Sequence, residues 1–328
     1  MVKRIKQHWR KGLVTGQLSA RQNTPRAAEL VGAPDDRGVL NVGGRLGAGH
    51  GPQAIRSMLS QFMLGMDGAV GRIELFEGRD CDPGATIEDG HRAVRRAVQA
   101  ALLSGAVPIV LGGGHDYGYP HFGGVHDALG NKLALINVDA HLDVRPPGDE
   151  GITSGSPFYL ALEEGILKPS RFVEFGIQEH CNDQVYHQYL KNKSVDIQLL
   201  DECRAGKGTL HNFQRAVASF GKRGLKTVVS FDVDAVQMAF APAVSAPQAD
   251  GFTPAELLAM AEWCGTRDEV VSIGFFELAP SLDENQKTSR LVATAIHRFL
   301  CGLSRRGEKK SRRTSLRRNA VGRLLLRR

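Results

Sequence analysis

Residues 137–146 read NVDAHLDVRP, and Asp139, His141 and Asp143 stand at alternate positions there, directly after the apolar run LALIN. Successive side chains of an extended segment point to opposite faces, so residues spaced by two share one face. Two carboxylates and an imidazole therefore crowd together at the end of a strand that reads as buried. Like charges at close range repel and burial penalises ionisation, so such a cluster is costly on its own. A cation resolves it. Comparable polar ends recur along the chain: His115 in GGGHD, Asp232 and Asp234 in SFDVD, and Glu277 after VVSIGFF. Four carboxylates (Asp139, Asp143, Asp232, Asp234) and two imidazoles (His115, His141) exceed the four ligands of a structural zinc site. They suit two divalent cations with hard oxygen ligands, of the manganese type, with some carboxylates bridging. Asp139 and Asp232, the first acids at their strand ends, are the natural bridges. A water held between the two ions would be acidified and serve as a nucleophile near neutral pH.

The elements that must position these groups follow a regular pattern. TIEDGHRAVRRAVQAALLSG reads as an amphipathic helix and AVPIVLGGG as a buried strand; KLALINVD, RFVEFGIQ, SVDIQLLD, KTVVSFDVD and EVVSIGFFELAP read as further strands. Helices are expected at NFQRAVASFGKRG, at TPAELLAMAEWCG and at NQKTSRLVATAIHRFLCG. The second of these opens with a capping box, Thr253 at the N-cap and Glu256 three residues on, with Pro254 at the first helical position. Short, doubly apolar strands alternating with helices predict a parallel sheet covered on both faces. Ligands in such sheets bind beyond the carboxyl ends of the strands, which is where the polar clusters fall.

Composition narrows the class. At 328 residues, 42% hydrophobic and 23% charged, the chain has the makeup of a soluble globular protein with a large core. No run of 18 apolar residues predicts a membrane span. Five scattered cysteines (Cys81, Cys181, Cys203, Cys264, Cys301) without CxxC spacing predict reduced thiols in a cytoplasmic setting. The net charge of +7 is misleading, because residues 301–328 hold 11 Lys and Arg against one acid, leaving 31 basic and 34 acidic residues in 1–300. Three segments are expected: a basic N-terminal arm over 1–28, a catalytic domain over 29–303, and a basic tail over 304–328, disordered in this reading. The arm, with seven Lys and Arg and no acid before Glu29, reads as solvated, although a targeting segment has similar composition. The tail has the charge density for phosphate contacts but no stacking aromatic or groove-reading motif, so nucleic-acid binding is not expected.

GGGHD, NVDAHLD and SFDVD resemble the three metal-binding blocks of the ureohydrolases, the family of arginase, agmatinase and formimidoylglutamase, and NVGGRLGAGHGPQAIR resembles that family's N-terminal block. The likeness spans roughly residues 30 to 300. It implies a three-layer α/β/α arginase-like fold with a parallel eight-stranded sheet, and a homo-oligomer. It also implies two manganese ions per subunit: His115 and Asp143 on one, His141 and Asp234 on the other, Asp139 and Asp232 bridging. Within the family, the Val244-Ser245-Ala246-Pro247 stretch, the Asp143-Val144-Arg145 triplet and the TSGSPF segment resemble formimidoylglutamase.

The expected reaction is hydrolysis of N-formimidoyl-L-glutamate to L-glutamate and formamide, a step of histidine degradation, by attack of a metal-bridging hydroxide on the amidine carbon. The substrate's two carboxylates call for a cationic anchor, which Arg145 supplies in bidentate form and which would repel the cationic tail of agmatine. Glu277 is expected to hold the amidine N–H groups, Ser154 and Ser156 to touch the substrate, and Asp143 to relay a proton to the leaving nitrogen. The alternatives are another ureohydrolase acting on a guanidino acid, or a binding protein that uses the basic tail.

Overall fold

Why one sheet forms is visible in its strands, which alternate between two apolar surfaces rather than between core and water. The computed structural model describes residues 4–10 and 26–307. Among these the strands are β1 (Trp9–Arg10), β2 (Arg26–Gly32), β3 (Ile73–Phe76), β4 (Ala106–Leu111), β5 (Leu133–Val138), β6 (Phe172–Ile177), β7 (Asp196–Leu199), β8 (Lys226–Asp232) and β9 (Val270–Phe276). They form a single sheet in the order β1-β3-β2-β4-β9-β8-β5-β6-β7, and every pairing is parallel. In β5, Ala134, Ile136 and Val138 face one apolar layer while Leu133 and Leu135 face the other.

Helices Gly51–Ser60, Thr209–Lys222, Pro254–Gly265 and Lys287–Ser304 cover the first face. Helices Ile87–Leu103, Gly118–Leu129, Pro157–Glu163 and Gln184–Asn192 cover the second. The result is the expected three-layer α/β/α arrangement. Phe231 and Phe275, fully buried on adjacent strands, stack at 5.0 Å between centroids, and burial of each ring is worth about 1.5–3 kcal/mol. The capping box at Thr253 is present, with Glu256 N–H donating to Thr253 Oγ1 at 3.3 Å and Thr253 N–H donating to Glu256 Oε2 at 2.8 Å.

Two boundaries differ from expectation. The sheet holds the expected eight strands plus the two-residue β1, which lies in the arm that reads as solvated. Ile5 is buried, with its N–H donating to Phe62 O at 2.9 Å, and Trp9 pairs with Leu75 of β3, which makes β1 the edge of the sheet. Two apolar anchors four residues apart outweigh the surrounding charge. At the other end Arg306, inside the expected tail, is buried and donates to Gly265 O (2.6 Å) and Val270 O (2.8 Å). Residues 308–328, on which the nucleic-acid question turns, lie outside the described residues. No helix among the described residues is long and apolar enough to cross a membrane.

The site is positioned by the middle of the sheet. β4, β9, β8 and β5 are consecutive neighbours, so the four segments that follow them emerge side by side along one rim.

Candidate metal centre and cavity

Each strand contributes its group through a tight local turn. Asp139 and Asp232 sit just at the ends of β5 and β8, and each uses one carboxylate oxygen to accept the amide two residues on: His141 N–H to Asp139 Oδ1 at 2.7 Å, Asp234 N–H to Asp232 Oδ1 at 2.8 Å. This turn lets Asp cap its own chain. It frees Asp139 Oδ2 and Asp232 Oδ2 to face inward. The GGGHD loop after β4 is glycine-rich for a steric reason. A Cβ on Gly113 would lie 1.8 Å from Asp35 O, and one on Gly112 would lie 2.1 Å from Phe276 Cδ1, so the backbone approaches its neighbours too closely for any side chain. Below it, His91 meets Asp116 at 2.7 Å and Tyr117 donates to Asp35 at 2.8 Å, which fixes the loop bearing His115.

Two groups of ligand atoms converge. His115 Nδ1 lies 3.1 Å from Asp139 Oδ2, 2.8 Å from Asp143 Oδ2 and 3.0 Å from Asp232 Oδ2. His141 Nδ1 lies 3.0 Å from Asp234 Oδ2 and 3.6 Å from Asp139 Oδ1. Asp139 therefore faces both groups, one oxygen to each, as a bridge must. One ring nitrogen cannot hydrogen-bond three carboxylates, and His115 Nδ1, Asp143 Oδ2 and Asp234 Oδ1 are buried without a hydrogen-bond partner. Hard oxygens and imidazoles aimed at common points fit a pair of divalent cations. His115 Nε2 meets Ser230 Oγ at 2.8 Å, a hydroxyl that can accept an Nε2–H and so accommodates the tautomer whose Nδ1 lone pair faces a cation.

The electrostatics describe the same crowding. Burial pushes Asp232 well above the usual carboxylate range, with the charges of Asp234 and Asp139 adding to it. Burial also lifts Asp234 to about 6, and burial together with the Asp139 charge raises Asp143. Burial opposes charging of His115, but Asp139, Asp143 and Asp232 outweigh it and hold the ring well above its ordinary value. His141 behaves likewise against Asp234 and Asp139. Asp139 alone is held low, because its two histidine partners outweigh burial.

These directions fix a pH dependence. A raised carboxyl or imidazole contributes stability that is fully present below its unfolded value and is lost as pH rises through its folded one. The metal-free protein is accordingly expected to lose thermal stability from pH 5 to pH 7.5, the window that contains Asp234. With divalent cation the slope reverses, because ligation requires the deprotonated groups. Thermal unfolding at the two pH values, with chelator and with Mn²⁺, measures both slopes.

Above the cluster opens a cavity of about 360 Å³, lined by His115, His141, Asp143, Asp232, Asp234 and Glu277 at its floor. Glu277 accepts the His115 N–H through Oε1 at 2.8 Å and leaves Oε2 buried without a partner. Burial and the Asp232 charge push its carboxyl well above the usual range. Asp143 and Glu277 both hold left-handed backbone, with φ of 47° and 69°, an uncommon state for such residues that clusters at functional sites.

Arg145 and Ser154 line the rim, joined there by Tyr186, whose ring lies 5.8 Å from the Arg145 guanidinium carbon. Ser156 is placed differently from expectation. It is fully buried, its hydroxyl accepts Thr153 N–H at 3.1 Å and meets Thr153 Oγ1 at 3.0 Å, and it does not line the cavity. Ser154 lines the cavity and Ser156 does not. Sequence reasoning missed Tyr186, Cys181 and Asn182, which come from the segment after β6. Asn182 grips the ligand loop, donating to Ala140 O and accepting from Leu142 N at 2.8 Å each, so that His141 is bracketed. Their only signal is that their segment follows β6, the neighbour of β5.

Comparisons with known proteins agree with this arrangement. A sequence model of the arginase family matches residues 26–302. The formimidoylglutamase of Streptococcus pyogenes is 30% identical over 271 residues, 81% of this chain and 82% of the relative. Among solved structures, the Trypanosoma cruzi formiminoglutamase with two Mn²⁺ is 31% identical, with a TM-score of 0.80 over 90% of this chain and 99% of that one. The formimidoylglutamase of Bacillus subtilis is 25% identical, with a TM-score of 0.83 over 93% of each chain.

Proposed function

The chain belongs to the arginase family, and we propose that it hydrolyses the amidine carbon–nitrogen bond of N-formimidoyl-L-glutamate, releasing L-glutamate and formamide. The observation that carries this reading is the polarity of one cavity, carboxylates at its floor and the Arg145 guanidinium at its rim. A substrate with an amidine at one end and two carboxylates at the other matches that polarity end for end. A guanidine with a cationic tail does not.

His115 and Asp143 would hold one manganese ion, His141 and Asp234 a second, with Asp139 and Asp232 shared. When bound, the ions supply Lewis acidity, polarising the amidine and bringing water within reach of deprotonation near neutral pH. The chain's own groups do the rest. Glu277 Oε2, the partnerless oxygen, accepts the N–H groups of the cationic amidine and holds its carbon over the floor. Asp143 Oδ1, the oxygen opposite the one turned to His115, passes a proton to the glutamate nitrogen as the C–N bond breaks. One water is consumed, its oxygen going to formamide. Arg145, carried on the loop that Gly155 O anchors by accepting the Arg145 N–H at 2.7 Å, grips a carboxylate in bidentate fashion, with Tyr186 beside its plane. Ser154 supports the same end.

The test is Mn²⁺-dependent glutamate release from N-formimidoyl-L-glutamate, abolished by chelator, with arginine, agmatine and 4-guanidinobutyrate as parallel substrates. Urea from any of the guanidines, with no glutamate release, would replace the substrate while leaving the metal chemistry. Arg145→Ala is expected to raise KM about 10- to 100-fold with kcat little changed, from about 1.5–3 kcal/mol for a hydrogen bond to a charged group. An unchanged KM in steady-state kinetics would remove Arg145 from substrate binding.

A further inference from the structure

Beneath the ligand cluster lies a second polar tier that the mechanism above does not use. In the register of the sheet, Ser230 on β8 is the partner of Asn137 on β5, and Asn137 is the partner of Glu174 on β6. Asn137 lies two residues before Asp139 on its strand, and Ser230 two residues before Asp232, so all share the face of the ligand carboxylates. Ser230 meets His115 Nε2. Asn137 Nδ2 donates to Asp139 Oδ2 at 3.1 Å and to Glu174 Oε2 at 3.0 Å.

Asp139 Oδ2 is the oxygen turned toward His115, so the Asn137 amide sets its direction. Glu174 in turn sets the amide. Its side chain is fully buried within a strand whose six residues are all buried, and its Oε1 has no hydrogen-bond partner. A carboxyl in such a place is expensive to keep, because burial penalises its charge and leaves Oε1 unsatisfied. Its retention calls for a reason other than packing.

We infer that Glu174 is a positioning residue for the metal centre, which holds Asn137 so that the amide aims the bridging carboxylate of Asp139 at the cation site. The chain of contacts is carboxyl, amide, carboxylate, across two neighbouring strands. Outer contacts of this kind typically govern 10- to 100-fold in metal affinity. Burial holds the Glu174 carboxyl well above its usual range, so a glutamine at this position preserves both shape and the accepting oxygen.

The inference rests on the two-cation reading of the site, but its test does not depend on the substrate. Mn²⁺ affinity of metal-stripped protein is measured by calorimetry for the wild type, Glu174→Leu and Glu174→Gln, with thermal unfolding of each metal-free protein alongside. Glu174→Leu is expected to bind Mn²⁺ about 10- to 100-fold more weakly while its metal-free form unfolds at an equal or higher temperature. Glu174→Gln is expected to stay within about threefold of the wild type. Opposite movement of affinity and stability is the signature, since a merely structural role would move both down together. Wild-type affinity in Glu174→Leu overturns the inference alone. A joint fall of affinity and stability in Glu174→Leu likewise overturns it. A wild-type protein that takes up no Mn²⁺ overturns this inference and the two-cation reading with it.

Discussion

Asp232→Asn is expected to cut turnover on the order of 10³-fold or more while making the metal-free protein more stable. The first half follows from its place. Asp232 Oδ2 lies 3.0 Å from His115 Nδ1 while its other oxygen caps the turn that presents Asp234, so the substitution removes a charged ligand without removing that cap. Loss of about 4 kcal/mol of charge stabilisation in the transition state corresponds to about 10³ in rate. Asparagine keeps an oxygen for the Asp234 amide but has no charge to offer a cation. The second half follows from electrostatics. Burial and the neighbouring Asp234 and Asp139 charges raise the folded-state value of Asp232 well above that of the unfolded chain. At neutral pH a group with a raised folded value disfavours folding, because the unfolded chain ionises it without penalty. Asparagine removes that penalty, and each kcal/mol gained is worth about 1–2 °C for a chain of this length. Kinetics and thermal unfolding of chelated protein read the two effects separately. A variant that loses both activity and metal-free stability would show that Asp232 serves the fold rather than a cation.

What is legible in the sequence divides along physical lines. The ligand residues stand out because a parallel strand is apolar on both faces, so alternating acids at its end have no structural excuse. The spacing of two marks Asp139, His141 and Asp143 as a group, although they converge through a turn beyond the end of β5 and the left-handed backbone of Asp143 rather than through strand alternation. β2 is hidden because Arg26–Gly32 opens in a charge-rich stretch and carries Glu29 at its centre, and that residue is buried. β3, at four residues, is too short for its alternation to register. The cavity wall is hidden for a different reason: Tyr186 and Asn182 reach the site through the strand order β8-β5-β6, which no local pattern encodes. Ser154 and Ser156 are indistinguishable as letters, since only the folded turn separates the half-buried residue at the cavity from the fully buried one. Glu174 and Asn137 are visible in RFVEFGIQ and LALINV as polar breaks in otherwise apolar strands. Their meaning requires the register that places them side by side.

Glu277→Gln separates metal binding from substrate orientation. Glutamine retains an oxygen that can accept the His115 N–H, the contact now made by Oε1 at 2.8 Å, so the loop that carries His115 keeps its anchor. The left-handed backbone at Glu277, φ 69°, is held by its own N–H donating to Gly113 O at 2.9 Å, a bond the substitution does not touch. What changes is Oε2, buried and partnerless on a residue that lines the cavity. As a carboxylate oxygen it accepts N–H from a cationic amidine; as an amide it presents N–H to N–H. Removing one oriented, buried hydrogen-bonding group at a reacting centre typically lowers kcat about 10²- to 10³-fold, or about 2.7–4 kcal/mol. The expected result is therefore a fall of that size in kcat/KM with Mn²⁺ uptake and metal-free stability at wild-type level or above, since a buried carboxyl with a raised value is replaced by a neutral group. Calorimetry with Mn²⁺ and steady-state kinetics on N-formimidoyl-L-glutamate measure the two quantities. Lost Mn²⁺ uptake would reassign Glu277 to the cation site, and full activity would leave the amidine held by some other group on the cavity floor.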